Sequence, residues 1–345
     1  MEMNNVVISG ALLAVLSGMM NGAFTLPMRF LGKWEWENVW TLFILVSCLL
    51  MPAAILTITA PQSWLILLHA PAVPVWIAIL TGLAWGFGAV LFGQSVSAIG
   101  ISLANTLVLA ISSALGSLVP IVLLSPHNLF LPTGKKIMAA VTVELAGIVL
   151  CGWAGRVREA AGGVGAERGG MVGHARPVRT ALLMAVGAGV LSAVFNIGFS
   201  LAQPIADYGR AAGLSQLAGT NLIWWIMLAA GSCANLGFCF VLFRKNQSLK
   251  KFVQPGAWRL YTLSSLMALL WGGSIFVYGA SAFRLGALGT SIGWPLSLAV
   301  GLLLANVIGI GLGEWKHAPA RARTFMYSGI VVLLAAIVLL SRANG

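Results

Sequence analysis

One acidic residue lies in the middle of a long apolar stretch of the sequence. Glu144 is the only charged residue between Ile137 and Gly155. Apolar surroundings favour the neutral form of a carboxyl group, so Glu144 could take up a proton on one side of a membrane and release it on the other. The alternative is a neutral packing residue that is hydrogen-bonded to a neighbour. Glu144 is therefore the candidate proton-coupling residue.

Amide, phenol and indole groups also fall inside the apolar stretches. An amide in hydrocarbon needs a partner, because an unsatisfied polar group there is costly. These side chains are expected to point inward, where each contacts either a polar ligand or a neighbouring helix. The candidate binding residues are Trp85, Gln94, Asn105, Asn196, Asn221, Trp271, Tyr278 and Trp294.

The elements that must position these residues are membrane-spanning helices. Of the 345 residues, 59% are hydrophobic and 8% are charged, and the mean hydropathy is +0.95, whereas about a quarter of a soluble domain is charged. Stretches of about 20 apolar residues, enough to cross a bilayer, number ten. They are roughly 6–28, 38–59, 74–97, 101–124, 136–154, 179–201, 215–243, 258–282, 287–312 and 324–341. This pattern predicts an all-α, polytopic membrane protein.

A basic, Gly-rich stretch divides the ten spans into two halves. It covers residues 155–178 and reads as a flexible linker, so the predicted units are 1–154 and 179–345. Five residues of the first half recur in the second at a constant offset of 186 residues. The pairs are Trp85 and Trp271, Gly86 and Gly272, Gly93 and Gly279, Ser95 and Ser281, and Gly100 and Gly286. Five spans per half would make the copies inverted, an arrangement typical of secondary transporters; chance recurrence of common residues is the alternative.

The charges predict the orientation of the chain. The net charge is +12, but the basic residues lie between the apolar stretches and form no nucleic-acid-binding face. Lys and Arg residues are concentrated at the connections that follow the odd-numbered spans. Their numbers after spans 1, 3, 5, 7 and 9 are two, none, five, five and three, whereas the opposite side has five in all. By the positive-inside rule the first set is cytoplasmic, so both termini are expected in the periplasm. The start lacks the basic region of a cleavable signal peptide, which favours retention of the first span.

Residues near the span ends have plainer interpretations. Trp34, Trp36, Trp64 and Trp315 are expected in the interfacial aromatic belts. The acids near span ends are expected to form surface ion pairs of small effect. They are Glu35, Glu37, Asp207 and Glu314.

No catalytic or metal-binding pattern is visible in the sequence. The four cysteines lie in apolar stretches without zinc-type spacing, and the four histidines lie in connections and form no HExxH motif. We therefore expect no enzyme, no metal and no cofactor.

Several short strings give the chain a family resemblance. They are Leu26-Pro27, Trp34-Glu-Trp-Glu37, Trp85-Gly-Phe-Gly88, Ile99-Gly-Ile-Ser102, Asn235-Leu-Gly-Phe-Cys-Phe240 and Gly313-Glu-Trp-Lys316. Together they span nearly the whole chain and resemble the L-rhamnose–proton symporter family, which belongs to the drug/metabolite transporter superfamily. That superfamily's ten-helix, inverted-repeat architecture agrees with the spans and the offset.

The resemblance implies proton-driven sugar uptake across a bacterial inner membrane. A neutral sugar needs amide or hydroxyl partners and aromatic surfaces, which are the candidate residue types named above. Its partners would be sugar, protons and the lipid bilayer; no oligomer is implied. An exporter of another small solute is the alternative within the superfamily. A membrane scaffold or sensor is a third reading, although it would not need two equivalent halves.

Overall fold

The computed structural model describes residues 2–161 and 177–343. Within these ranges the chain is helical, without β-strands, and ten helices are long and apolar enough to span a membrane. They are α1 (Glu2–Ala23), α2 (Trp36–Thr59), α3 (Ala72–Ile99), α4 (Ile101–Leu124), α5 (Pro132–Ala160), α6 (Val178–Leu201), α7 (Gln216–Asn246), α8 (Ala257–Arg284), α9 (Gly289–Gly311) and α10 (Ala320–Ser341). The predicted all-α fold with ten spans is confirmed.

Short helical segments complete the described chain. A 3-10 turn, Leu26–Phe30, follows α1, and α2 contains a π-helical turn at Leu45–Leu50. Short α-helices lie at Ser63–His69 and Gln203–Ala211, next to the even-numbered connections. The face that carries the connections after α1, α3, α5, α7 and α9 is called the odd-loop face below, and the opposite one the even-loop face.

The predicted linker, 155–178, begins within a helix of the structure. Helix α5 continues to Ala160, because its last residues make tertiary contacts that a free linker would lack. Arg158 packs over the ring of Trp315 at 4.6 Å, and Glu159 accepts hydrogen bonds from the backbone N–H and hydroxyl of Ser102. The predicted linker residues 162–176 lie outside the described residues.

The outer surface of the bundle is apolar, as a lipid-facing surface must be. Large side chains such as Leu12, Leu50, Leu183 and Val331 are exposed on different helices. Buried serines and amides instead face other helices. This distribution is that of a protein whose solvent is a bilayer.

Helices of the two halves pack on each other in matching pairs. Helix α3 runs antiparallel to α6, with Gly198 against Thr81 and Gly88 against Leu191. Helix α8 runs antiparallel to α1, where the Ser17 hydroxyl donates to the Ser274 carbonyl at 2.8 Å. In the same way α4 contacts α6 as α9 contacts α1, and α3 contacts α7 as α8 contacts α2. Three pairs of contacts between the halves thus match when the halves are exchanged.

Residues related by the offset of 186 also occupy matching places. Gly100 and Gly286 follow α3 and α8, and each has a backbone φ of +80°, a conformation that glycine adopts without the steric cost of a Cβ. Gly86 lies against the backbone of Gly231 on α7, and Gly272 lies against Ser47 on α2.

Candidate functional site

A cluster of aromatic rings fills the centre of the bundle. Trp224 on α7 is fully buried and stacks on Phe199 of α6 with ring centroids 4.0 Å apart. Phe195 and Tyr278 lie beside it, at 5.5 and 6.1 Å. Three helices, α6, α7 and α8, thus contribute the core of this cluster.

A second pair of rings extends the cluster to the middle of the membrane. Trp85 and Trp271 lie near the midpoints of α3 and α8 and stack with centroids 5.2 Å apart and planes 14° apart. Trp85 contacts Phe195 at 5.1 Å, which joins the two groups of rings. On the other side Trp271 contacts Phe43 of α2 at 5.5 Å. The sequence-predicted Trp85 and Trp271 are therefore in direct contact.

Three more of the predicted residues meet in a hydrogen-bonded group beside Trp224. Asn196 on α6 donates to the Gly116 carbonyl at 2.8 Å and accepts from the Tyr278 hydroxyl. Trp294 on α9 packs against Tyr278 with centroids 5.3 Å apart, and its indole N–H donates to the carbonyl and hydroxyl oxygens of Ser112, both at 3.2 Å. Asn196, Tyr278 and Trp294 are all buried. They form the wall of the cluster made by α4, α6, α8 and α9.

Two polar atoms in this region are buried and have no hydrogen-bond partner among the residues that the structure describes. They are the Trp224 indole nitrogen, a donor, and Asn221 Oδ1, an acceptor. The two residues are three apart in α7 and so share a helix face. A buried polar group without a partner costs about 1–3 kcal/mol, and a bound molecule with hydroxyl groups would remove that cost. Asn221 was predicted from the sequence; Trp224 was not.

Glu144, on α5, lies outside this hydrogen-bonded group and contacts an adjacent face of α4. It is fully buried, and its Oε2 accepts a hydrogen bond from the Ser113 hydroxyl at 2.7 Å. Its Oε1 is buried and has no partner in the described part of the chain. Ser113 is the chain neighbour of Ser112, which bonds Trp294 and also donates to Ser192 at 2.9 Å. One turn of α4 therefore touches both the aromatic cluster and the buried acid.

A separate cavity of about 110 Å³ lies near the odd-loop face, between α4, α5, α9 and the connection that follows α9. Asn105 lines it, so the structure places Asn105 here and not in the aromatic cluster. Arg158 and Glu314 stand in its wall and form an ion pair at 3.3 Å. Asn306 Nδ2 and Arg158 Nε are buried donors without a partner in the described ranges 2–161 and 177–343. Such a lining suits water.

The remaining predicted site residue, Gln94, is half-buried on α3, nine residues from Trp85 toward the odd-loop face. The structure thus brings together Trp85, Trp271, Tyr278, Trp294 and Asn196, with Asn221 at their edge, and separates Gln94 and Asn105 from them.

The predicted position in an interfacial belt is wrong for two of the four tryptophans. Trp34 and Trp315 are only 8% and 6% exposed. The indole N–H of Trp34 donates to the Lys251 carbonyl at 3.1 Å, and Trp315 packs under Arg158. A tryptophan near a span end can lie at the membrane interface or be covered by a connecting segment. The sequence does not distinguish these two environments, because both place the residue near the end of an apolar stretch.

Two of the acids near span ends also differ from the expected surface pairs. Glu37 is 2% exposed and accepts hydrogen bonds from Asn246 at 3.0 Å and from the Ser248 hydroxyl. Glu314 bridges Arg29, at 2.8 Å, and Arg158. These contacts join segments more than 150 residues apart, which local sequence patterns do not reveal.

Ten apolar helices around a buried aromatic and amide core define a multi-pass membrane protein of the transporter class. Comparison with known families is specific: residues 3–344 match the L-rhamnose-proton symport protein family, and the chain belongs to that family. The L-rhamnose-proton symporter of Escherichia coli O17:K52:H18 is 25% identical over 341 residues, and that of Shigella boydii serotype 18 is 26% identical over the same length. Both alignments cover 97% of each chain. The family resemblance is confirmed, and the family is one of transporters, not enzymes.

Proposed function

We propose that the protein imports L-rhamnose or a similar neutral sugar together with protons, by alternating access. The observation that carries this proposal is the full-length correspondence with the L-rhamnose-proton symport family. The matched range spans all ten helices and the positions of the candidate site. No observation in the structure favours an exporter of another solute.

The chemistry of the aromatic cluster supports a neutral sugar as the substrate. Its rings offer apolar faces for the sugar ring. For the sugar hydroxyls, Asn196 and Asn221 each offer an amide group, and Trp224 offers an indole N–H. The cluster residues carry no charge, as expected for a substrate without carboxylate or phosphate. We place the substrate between Trp85, Trp271 and the group around Trp224.

Two inverted five-helix halves, 1–154 and 179–345, would supply the two states of alternating access. The matching helix contacts, the equal φ angles of Gly100 and Gly286, and the contact of Trp85 with its counterpart Trp271 support this arrangement. The proposed site lies where the halves meet. Rocking of one half against the other would then expose it to each face in turn.

Glu144 is the proposed proton carrier. It is buried midway along α5, and Ser113 donates a hydrogen bond to it. Ser113 is the chain neighbour of Ser112, which bonds Trp294 in the wall of the aromatic cluster. A change in the position of this turn of α4 would reach both groups, which provides a physical connection between sugar and proton. Gln94, on α3, would serve the route of the sugar between the aromatic cluster and the odd-loop face, whereas Asn105 lines the separate cavity.

The distribution of basic residues supports a cytoplasmic odd-loop face, so that both termini are periplasmic in a bacterial inner membrane. Single-cysteine variants at exposed positions of the two faces, labelled in intact cells with a membrane-impermeant thiol reagent, test this orientation. Labelling of odd-loop positions from outside would reverse it.

The function is tested by uptake of labelled L-rhamnose into proteoliposomes, with and without an inward proton gradient. We expect gradient-driven accumulation that other sugars with the same hydroxyl pattern inhibit. Absence of uptake in both conditions would contradict the proposal and favour another solute or export.

The site is tested by Trp224→Phe, which removes the indole N–H and keeps an aromatic ring. We expect about tenfold weaker L-rhamnose binding, since a lost hydrogen bond in a buried site is worth about 1–2 kcal/mol. Trp225→Phe is the matched control, because Trp225 packs on Trp64 outside the cluster. Equal affinities of the two variants would remove Trp224 from the site.

A further inference from the structure

The cavity near the odd-loop face and Glu144 lie along one face of α5. The α5 residues that line the cavity include Ile148, Cys151, Gly155 and Arg158, at spacings of three and four. Glu144 precedes Ile148 by four residues and continues the same row, since residues three and four apart are neighbours on a helix surface. Four residues advance about 6 Å along a helix. The cavity therefore ends about one turn short of Glu144.

Helix α4 shows the same order from the opposite side. Its cavity-lining residues run from Ser102 through Thr106 to Leu109, and Ser113, the hydrogen-bond donor to Glu144, comes one turn later. Leu109 and Ile148 thus form a layer between the cavity and the carboxyl group. Ile148 is 1% exposed and Leu109 is partly buried, so Ile148 provides most of the cover over the carboxyl group.

The carboxyl group of Glu144 has no charged neighbour on the helices packed around it. Helices α4 and α9 contain no titratable residues, and those of α10 are the exposed Arg321, Arg323 and Tyr327. His127, in the turn before α5, is also exposed, and the other titratable residues of α5 lie in its end turns or line the cavity mouth. Among the described residues, the nearest polar space beyond Ser113 on this row is the cavity.

We propose that this cavity is the proton exit of the symporter, connected to Glu144 when the Leu109–Ile148 layer parts. The inference rests on the proposed function. In the exit step the O–H bond of the Glu144 carboxyl breaks, a cavity water takes the proton, and the hydronium leaves at the odd-loop face. Glu144 remains as a carboxylate that keeps the Ser113 hydrogen bond.

Two features fit the cavity to this role. At about 110 Å³ it holds several waters, since one needs about 10–15 Å³ by this measure, and the Asn306 and Arg158 donors can orient them. Leu109 packs against the aromatic core as well as against the cavity-side residues. Departure of sugar from the aromatic cluster therefore loosens the layer that covers Glu144, and proton release follows sugar release.

Filling the cavity tests the inference. Ala305 on α9 lines the cavity and is exposed, so Ala305→Phe places a ring in the space without cutting into packed helices. Val307→Phe is the matched control, because Val307 is an exposed residue of the same helix outside the cavity lining. In proteoliposomes we expect Ala305→Phe to slow L-rhamnose-driven proton uptake and gradient-driven accumulation about tenfold, a barrier change of about 1.4 kcal/mol.

L-rhamnose counterflow separates the possible outcomes, because exchange of sugar does not require the carrier to release its proton. Counterflow of Ala305→Phe should equal that of the Val307→Phe control. An equal loss of counterflow and accumulation would show that sugar uses the cavity and would overturn the inference, as would normal accumulation. Should Ala305→Phe not yield folded protein, Ala305→Leu fills the space in part and is expected to slow proton uptake to a lesser degree. Wild-type protein without counterflow and accumulation would instead refute the proposed function.

Discussion

The two faces of the bundle differ in how their segments are tied together. On the odd-loop face three ion pairs join distant segments, Arg29–Glu314, Arg158–Glu314 and Lys251–Glu35, and the buried Glu37 connects the start of α2 to the residues after α7. On the even-loop face the Asp207–Arg210 pair joins residues three apart in one short helix. The first set holds helices of opposite halves together; the second holds one helical turn.

This difference indicates which face is closed. The connections after α1 and α9 meet at Glu314, and those after α1 and α7 meet at Glu37 and Glu35. A path from the aromatic cluster to the odd-loop face must separate these contacts. In the proposed transport cycle, they set the free energy of the state open to the cytoplasm, and their removal should favour that state.

The largest effect is expected for Glu37→Ala. Its removal leaves the buried Ser248 hydroxyl and the exposed Asn246 amide without their acceptor, and a hydrogen bond to a charged group contributes about 1.5–3 kcal/mol. We expect the free energy of unfolding in detergent to fall by about 3 kcal/mol. Chemical denaturation measures this, with Glu37→Gln as the control that keeps one acceptor and loses about half as much. A wild-type denaturation midpoint for Glu37→Ala would contradict the assigned role.

Glu314→Ala should have the next largest effect. It leaves Arg158, whose side chain is 10% exposed, without its carboxylate partner, and it also frees Arg29. An unpaired, mostly buried charge is expected to cost about 2 kcal/mol. In an otherwise cysteine-free background, a cysteine at Ala305 should react faster with a thiol reagent from the odd-loop side. Unchanged labelling would mean that these ion pairs do not hold the face closed.

A smaller effect is expected for Lys251→Ala. The Lys251–Glu35 pair is short, 2.6 Å, but its side chains are 28% and 41% exposed. Solvated pairs contribute about 0–1 kcal/mol, so we expect less than about 0.5 kcal/mol, and less still at high salt. Denaturation at two salt concentrations checks both statements. A loss as large as that of Glu314→Ala would show that the odd-loop contacts act as one network.

The smallest effect is expected on the even-loop face. Asp207→Asn breaks an exposed pair within one short helix, so stability and uptake should equal those of the wild type within error. Denaturation and L-rhamnose uptake measure the two properties. If uptake fell as far as in Glu314→Ala, the asymmetry between the faces would be lost.

The sequence allowed prediction of the helices and of several residues that meet in the aromatic cluster, for identifiable reasons. Long apolar stretches define membrane spans regardless of the rest of the fold. The offset of 186 residues pairs Trp85 with Trp271 from the sequence alone. When all sides of a helix are apolar, the sequence does not show which side faces the protein interior. Trp224 was therefore not predicted as a site residue, since nothing in the sequence distinguishes it from the peripheral Trp225. Glu37 and Ser248 are 211 residues apart, and only the fold brings them together.

The stack of Trp85 on Trp271 bears on the ancestry of the chain. A residue that touches its own counterpart across a twofold axis is characteristic of an isologous dimer interface. If a single five-helix unit once paired with an inverted copy of itself, one tryptophan had to fit against its duplicate, and every substitution altered both sides at once. Fusion into one chain would remove that constraint. The two surfaces could then diverge, so a symmetric frame could acquire an asymmetric pocket, as the proposed chiral substrate requires.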